Sequence, residues 1–268
     1  LGFVKAVNQG LEHCRGKYLL LLNNDAMLHL YSIESAIKTL QKTPRAGAVG
    51  GRILLLDGSL QEAGSIIFSN GSCLGYGRHG DPEAPEYMFQ RPVDYCSGAF
   101  LLFETALFKE MGGFDLDYAP AYYEDSDFCI RLQERGLQVI YDPNAVITHY
   151  EFASSGGQEK ASKLQERHRQ VLLEKHQSYL SQQQSVNPDA ALFARTANNH
   201  PNVLIIDDRV PHASLGSGYP RCCEIVKLLA QSKLNVSLYP LQFPDESWLD
   251  TYQSIPANVE VLLEQGMQ

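Results

Sequence analysis

An α/β architecture follows from three features of the sequence. The apolar run Tyr18-Leu-Leu-Leu-Leu22 suits a strand buried on both faces and is too short for a helix. Helical spacing flanks it, at Val4, Val7 and Leu11 before and at Ile33, Ala36, Ile37 and Leu40 after. The alternation starts afresh at Val203-Leu-Ile-Ile206, which a helical pattern over residues 221–231 and a strand over 234–238 follow.

Taken in order, residues 4–13 predict a helix that stops near Gly16, and residues 17–22 a strand. Asn23-Asn24-Asp25 ends that strand, the position where open α/β sheets bind ligands, although a plain turn accounts for it equally. A helix over 32–41 ends at Pro44, short strands follow at 48–49 and 52–56, and Asp57-Gly58 signals a hairpin. The Gly- and Pro-rich stretch 64–92 reads as hairpin and loop over the sheet, 94–103 as a strand, and 104–111 as a helix closed by Gly112-Gly113. The next helix, through 128–133, has an acidic first turn of Glu124, Asp125 and Asp127. Strands at 137–141 and 145–147 lead to His149. Residues 158–184 are rich in Gln, Lys, Glu and Arg with Leu164, Val171, Leu172 and Leu180 on one face, which predicts a solvated helical connector. Asn187-Pro188 and residues 198–201 then punctuate a second beginning. The expected division is therefore 1–156, a connector 157–197, and 198–268.

Composition narrows the function classes. The 268 residues carry 22 Lys+Arg against 31 Asp+Glu, a formal charge of −9, which disfavours binding to nucleic-acid phosphates. No run approaches the ~18 apolar residues of a membrane span. Six cysteines without a C-x-x-C pair imply neither a disulfide framework nor a zinc site, so reduced, cytosolic thiols are expected. Leu1 opens directly on a helical pattern, and the chain is expected to start inside a domain.

The candidate chemistry sits at element ends. A carboxylate and an imidazole there, Asp25 and His149, can hold a divalent cation through one oxygen and one nitrogen, leaving positions for phosphate oxygens. A carboxylate kept off the metal, which the 124–127 cluster offers, can deprotonate an acceptor hydroxyl. On composition alone, helix-start acids and a structural histidine explain the same residues.

Longer strings decide more. Residues 1–10, Gly16-Lys-Tyr-Leu-Leu-Leu-Leu-Asn-Asn-Asp25, Ser97-Gly-Ala99, Gly112-Gly-Phe-Asp115, Tyr123-Glu-Asp-Ser-Asp127, Arg131, Gly136, Tyr141-Asp-Pro143, His149 and Ser154-Ser-Gly156 resemble, in order and spacing, a family 2 glycosyltransferase of the rhamnosyltransferase-like type. The resemblance implies a GT-A-type mixed sheet with helices on both faces, here lacking its first βαβ half, then a helical connector and the beginning of a second Rossmann-like α/β domain. It further implies a nucleoside diphosphate sugar donor, a divalent metal (Mn²⁺ or Mg²⁺), inversion at the anomeric carbon, and a glycan or lipid-linked acceptor in surface polysaccharide synthesis. A cytoplasmic protein, peripheral at the inner face of the membrane, fits that role.

Carried over by residue, Asp25 matches the acid that binds metal and diphosphate, His149 the histidine that completes the metal site, and Asp125 the base. Glu124 and Asp127 would brace the base or position the acceptor, Asp115 would touch the acceptor, and Asn23, Asn24, Ser97 and Gly98 would face the donor. The triplet departs from Asp-x-Asp, which implies a modest metal affinity. The absent half, on the order of sixty residues, implies weak nucleotide binding by this segment alone. Residues 203–211 with Gly216-Ser-Gly218 and Arg221 resemble the opening of a family 4 (GT-B) glycosyltransferase, whereas Asp207-Asp208 alone would also suit a phosphoreceiver. The competing function class is a non-catalytic glycan- or nucleotide-binding scaffold.

Overall fold

The computed structural model describes residues 2–150, 158–187, 191–216, 218–242 and 246–265. Leu1, Pro188, Ser217 and the Ser154-Ser-Gly156 part of the family signature lie outside the described residues. The chain divides into two compact units, Leu1–Gly80 with Pro92–Ala197, and Asp81–Arg91 with Asn198–Gln268.

Up to residue 197 the elements are α1 (Phe3–His13), β1 (Tyr18–Leu22), β2 (Ala26–Leu28), α2 (Ser32–Lys42), β3 (Ala46–Leu54), β4 (Leu60–Ala63), β5 (Ser65–Ile67), β6 (Cys73–Gly75), β7 (Arg91–Val93), β8 (Phe100–Glu104), α3 (Thr105–Glu110), α4 (Glu124–Glu134), β9 (Gln138–His149), α5 (Gln158–Lys175), α6 (Gln177–Leu180) and α7 (Ala191–Ala194). Seven strands form one sheet in the order β1-β8-β3-β9-β2, with β4 beside β3 and β7 beside β9. The sheet is mixed: β3 and β9 run parallel, whereas β1–β8, β3–β8, β2–β9 and β3–β4 are antiparallel.

Helices cover both faces, because alternate residues of β8 point to opposite sides. Phe100 and Leu102 pack with Ala36 and Leu40 of α2. Phe103 turns the other way and meets Phe108 of α3 and Phe128 of α4, with ring centroids 4.6 and 5.1 Å away. Tilted and edge-on contacts of this kind add to the burial of large rings. The mixed sheet covered on both faces is the expected fold class.

The strands differ from expectation where a single residue type misleads. Residues 46–54 make one strand rather than two, and β9 continues through Pro143 for 12 residues. The ladder absorbs the proline by a register shift: Asp142 pairs with Gly51 and Val146 with Arg52, so the intervening residues bulge. Asp142 is fully buried there and accepts hydrogen bonds from Ser35 Oγ (2.8 Å), Thr39 Oγ1 (2.7 Å) and Asn144 N (3.0 Å), which ties α2 to the bulge. Close approach also explains the paired glycines of β3. A Cβ on Gly50 would overlap Cys96, and one on Gly51 would overlap the Ala145 carbonyl oxygen. Residues 97–99, expected as strand, form a turn, and β8 begins only at Phe100.

The segment read as a solvated connector groups with the first unit. Its Leu172 and Leu180 are buried, and so are two histidines, His168 and His176. The second unit contains β10 (Asn202–Asp207), α8 (Tyr219–Ala230), β11 (Asn235–Pro240), α9 (Trp248–Ser254) and β12 (Glu260–Val261). Its three strands are parallel, and Val226, Ala230, Val236, Leu238 and Val261 form its core. Among the described residues no helix is long and apolar enough to cross a membrane.

Candidate active site

The apolar run of β1 ends at Leu22, and the polar triplet after it crosses from the start of β8 to the end of β9. Asn23 N donates to the Ala99 carbonyl (3.2 Å), Ala26 N donates back to Asn23 O (3.1 Å), and Ala26 then pairs with His149. Tyr150 N donates to the Asp25 carbonyl (2.9 Å), which fixes the triplet's far end. This backbone arrangement brings Asp25 and His149 together: Asp25 Oδ1 lies 3.2 Å from His149 Nε2. Asn23 Nδ2 lies 3.1 Å from the same nitrogen. Asn24 is exposed at the tip.

On its other side the imidazole meets a residue that sequence reading missed. Gln61 of β4, itself buried, places Oε1 2.9 Å from His149 Nδ1. An amide oxygen only accepts, so Nδ1 carries a ring proton. A protonated Nε2 donates to Asp25 Oδ1, and an unprotonated one accepts from Asn23 Nδ2. In the unprotonated form Nε2 and Asp25 Oδ1 present two lone pairs 3.2 Å apart, the state in which they can ligate a cation. Two donor atoms ~2.1 Å from an octahedral cation and at right angles stand about 3.0 Å apart, so the pair fits adjacent ligands of one divalent ion. Among the described residues no group of three or more His, Cys, Asp or Glu side chains gathers round one point.

The expected base lies across a short loop. Tyr122 and Tyr123 both adopt left-handed backbone conformations, φ 76° and 71°, a strain of about 1–3 kcal/mol each for non-glycine residues. They turn the chain abruptly into α4, so that Asp125 in its first turn faces back toward residues 97–99. Gly98 N donates to Asp125 Oδ2 (3.1 Å) and Ser126 N to Oδ1 (2.8 Å). Burial raises the Asp125 pKa above the usual carboxylate value, and these two backbone donors pull in the opposite direction. Glu124 is 6% exposed, its Oε2 has no hydrogen-bond partner among the described residues, and burial together with the Asp125 charge pushes its pKa well up.

One loop thus serves both halves of the site. Ala99 holds the triplet through its carbonyl, Gly98 holds Asp125 through its amide, and Ser97 N donates to the buried Glu62 Oε1 (3.2 Å). The Ser97 hydroxyl is used locally, accepting from Ala99 N (3.2 Å).

Two residues expected to touch the acceptor or brace the base are engaged in contacts within the chain. Asp127 is 1% exposed, with Oδ2 bound by Arg131 Nε (2.7 Å) and Oδ1 by His176 Nε2 (2.9 Å), so it braces α4 from within. Asp115 caps a short 3₁₀ turn through Asp117 N and pairs with Lys175. Gln61 and Glu62 escaped notice because a fully buried four-residue strand carries no outward sign of which polar members face a site.

The sequence profile described as Glycosyltransferase like family 2 matches residues 1–172. The chain belongs to this family. Among its relatives, an N-acetylglucosaminyl-diphospho-decaprenol L-rhamnosyltransferase of Mycobacterium tuberculosis is 30% identical over 167 residues, 58% of this chain and 54% of that protein. The O-antigen biosynthesis protein RfbC of Myxococcus xanthus is 26% identical over 156 residues, 55% of this chain and 12% of that protein. The chain thus spans about half, or much less, of the length of these relatives. A crystal structure of GalNAc-T7 with UDP, GalNAc and Mn2+ is similar at a TM-score of 0.46 and 14% identity, over 56% of this chain and 30% of that one. The second unit, apart from residues 81–91, lies outside the span matched by the family 2 profile.

Proposed function

We propose that the first unit is the catalytic part of an inverting, divalent-metal-dependent enzyme that transfers a sugar from a nucleoside diphosphate sugar to a glycan or lipid-linked acceptor in surface polysaccharide synthesis. The observation that carries this reading is the loop at residues 97–99, which binds the metal-side triplet through Ala99 and the base through Gly98. A lipid-linked acceptor is supported by the printed name of the mycobacterial relative. On this reading the protein works at the cytoplasmic face of the membrane.

Asp25 Oδ1 and His149 Nε2 would hold the cation, with Asn23 donating to their neighbourhood and Gln61 fixing the ring. A bound Mn²⁺ or Mg²⁺ would offset the charge that develops on the leaving diphosphate. Asp125 removes the proton of the acceptor hydroxyl. The acceptor oxygen then bonds to the anomeric carbon as the bond to the diphosphate breaks on the opposite face, which inverts that centre. A carboxylate with a raised pKa is a stronger base than a solvated one, and the Gly98 and Ser126 amides aim it. We read the second unit as Rossmann-like and as belonging to a further glycosyltransferase domain, supported by the parallel pairing of β10 with β11 and of β11 with β12.

The test is nucleoside diphosphate release from a panel of UDP-, GDP- and dTDP-sugars, using the full reading frame with the second domain disabled, with and without Mn²⁺ or Mg²⁺. Metal-dependent release is expected in the wild type and lost in Asp25→Ala and Asp125→Asn, while Asp125→Asn still binds donor. Wild-type transfer by Asp125→Asn would overturn the assignment, and glycan binding without any release would favour a binding scaffold.

A further inference from the structure

We infer that α5 clamps the base-bearing turn, and that His168 is a positioning residue for Asp125. The inference rests on reading Asp125 as the base. His168 and Leu172 stand one turn apart on one face of α5, His176 follows just past its end, and all three are buried. His168 Nδ1 lies 2.9 Å from the Tyr122 carbonyl. That oxygen only accepts, so the proton is on Nδ1. Nε2 is buried without a partner among the described residues, and the ring stands edge-on to Tyr118 at 5.7 Å. A phenylalanine would fill this space without leaving a bare ring nitrogen. What the imidazole adds is one donor, delivered to the first of two consecutive left-handed tyrosines.

Those tyrosines decide where α4 begins. The Tyr123 carbonyl accepts the Asp127 amide (2.9 Å), and Asp125 lies between. Two positions beyond Asp125, His176 Nε2 meets Asp127 Oδ1 at 2.9 Å. The same face of α5 therefore grips the chain three residues before the base and, through His176 just past its end, two residues after it. Strained conformations persist only where surrounding contacts over-determine them. Without the His168 donor the turn is free to relax, and Asp125 swings off the Gly98 amide.

The experiment uses the full chain and three variants. His168→Phe keeps a ring and removes the donor, His168→Asn places an amide N–H near the position of Nδ1–H, and His168→Gln places it near Nε2. Turnover is read as nucleoside diphosphate release with Mn²⁺ and whichever member of the UDP-, GDP- and dTDP-sugar panel the wild type uses, and deuterium exchange is read across residues 119–128. His168→Phe is expected to lower kcat on the order of 100-fold with donor KM within about twofold, and to speed exchange in that segment. His168→Asn is expected to restore both, and His168→Gln neither. Unchanged kcat and exchange in His168→Phe, or no recovery in His168→Asn, would overturn the clamp. Transfer retained by Asp125→Asn would instead remove the base assignment, and the exchange data would still decide whether His168 holds the turn.

Discussion

Gln61 and His149 meet through a single hydrogen bond, Oε1 to Nδ1 at 2.9 Å, and that bond decides which ring nitrogen faces Asp25. Gln61→Leu removes the acceptor that fixes the tautomer. Mn²⁺ affinity, followed by electron paramagnetic resonance, is expected to fall roughly 10–100-fold. Equal affinity in the variant would show that the ring is oriented by other contacts.

Asp125 predicts a pH profile. Its pKa is raised, mainly by burial, so transfer should rise with pH through a limb above the ordinary aspartate range. Asp125→Asn is expected to reduce kcat by about 10²–10⁴, with donor affinity retained. A rate independent of pH from 4 to 8 would rule out this carboxylate as the base whose ionisation limits transfer.

Much of this geometry could be read ahead of the structure, and the exceptions have physical causes. The β1 run, the Asp57-Gly58 turn and the acidic start of α4 are local patterns with local causes, so they survive folding unchanged. Pro143 was misleading because a parallel neighbour tolerates it by a bulge, something only the partner strand can reveal. The placement of His149 beside Asp25 follows from two strand ends, but its bond to Gln61 depends on β4 folding back through a hairpin. Asp127, expected to brace the base or position the acceptor, is buried in the structure. Its burial depends on Arg131 one turn on and on His176 in a segment whose polar composition suggested solvent.

Gly51→Ala tests the fit between β3 and the bulge of β9. The new methyl would meet the Ala145 carbonyl oxygen, main chain that cannot rotate away. A loss of about 1–3 kcal/mol or more is expected, read from the urea midpoint. A neutral result would mean that the bulge can shift without cost.

Two buried groups outside the site contribute to the pH dependence of stability, and both act in the same direction. Burial raises the Asp94 pKa from 3.8 to about 7, against hydrogen bonds from Ile67 N and Tyr179. Burial lowers the pKa of His176, but Asp127 and Glu134 more than compensate, and it lies above 6.5. For each, the folded-state pKa exceeds the unfolded one, so its contribution is complete below the unfolded value and is lost as pH rises through the folded value. The Asp94 contribution should disappear between about pH 4 and 7, and that of His176 above about 6.5. Thermal melts at pH 5, 7 and 8.5 should show Asp94→Asn gaining on the wild type as pH rises over the first interval, and His176→Gln losing its deficit over the second. Parallel curves for all three proteins would refute the linkage.

The Asp25 and His149 side chains that touch are 124 positions apart in the chain. Closing so long a loop is entropically costly and slow relative to local contacts. During synthesis the ribosome must release β9, and β9 must insert between β3 and β2, before the two side chains can meet. A nascent or C-terminally cleaved product that stops short of residue 149 would carry the aspartate, the loop and the base-bearing helix, yet lack the imidazole. On the proposed reading, the two metal-side ligands come together only once the sheet is complete.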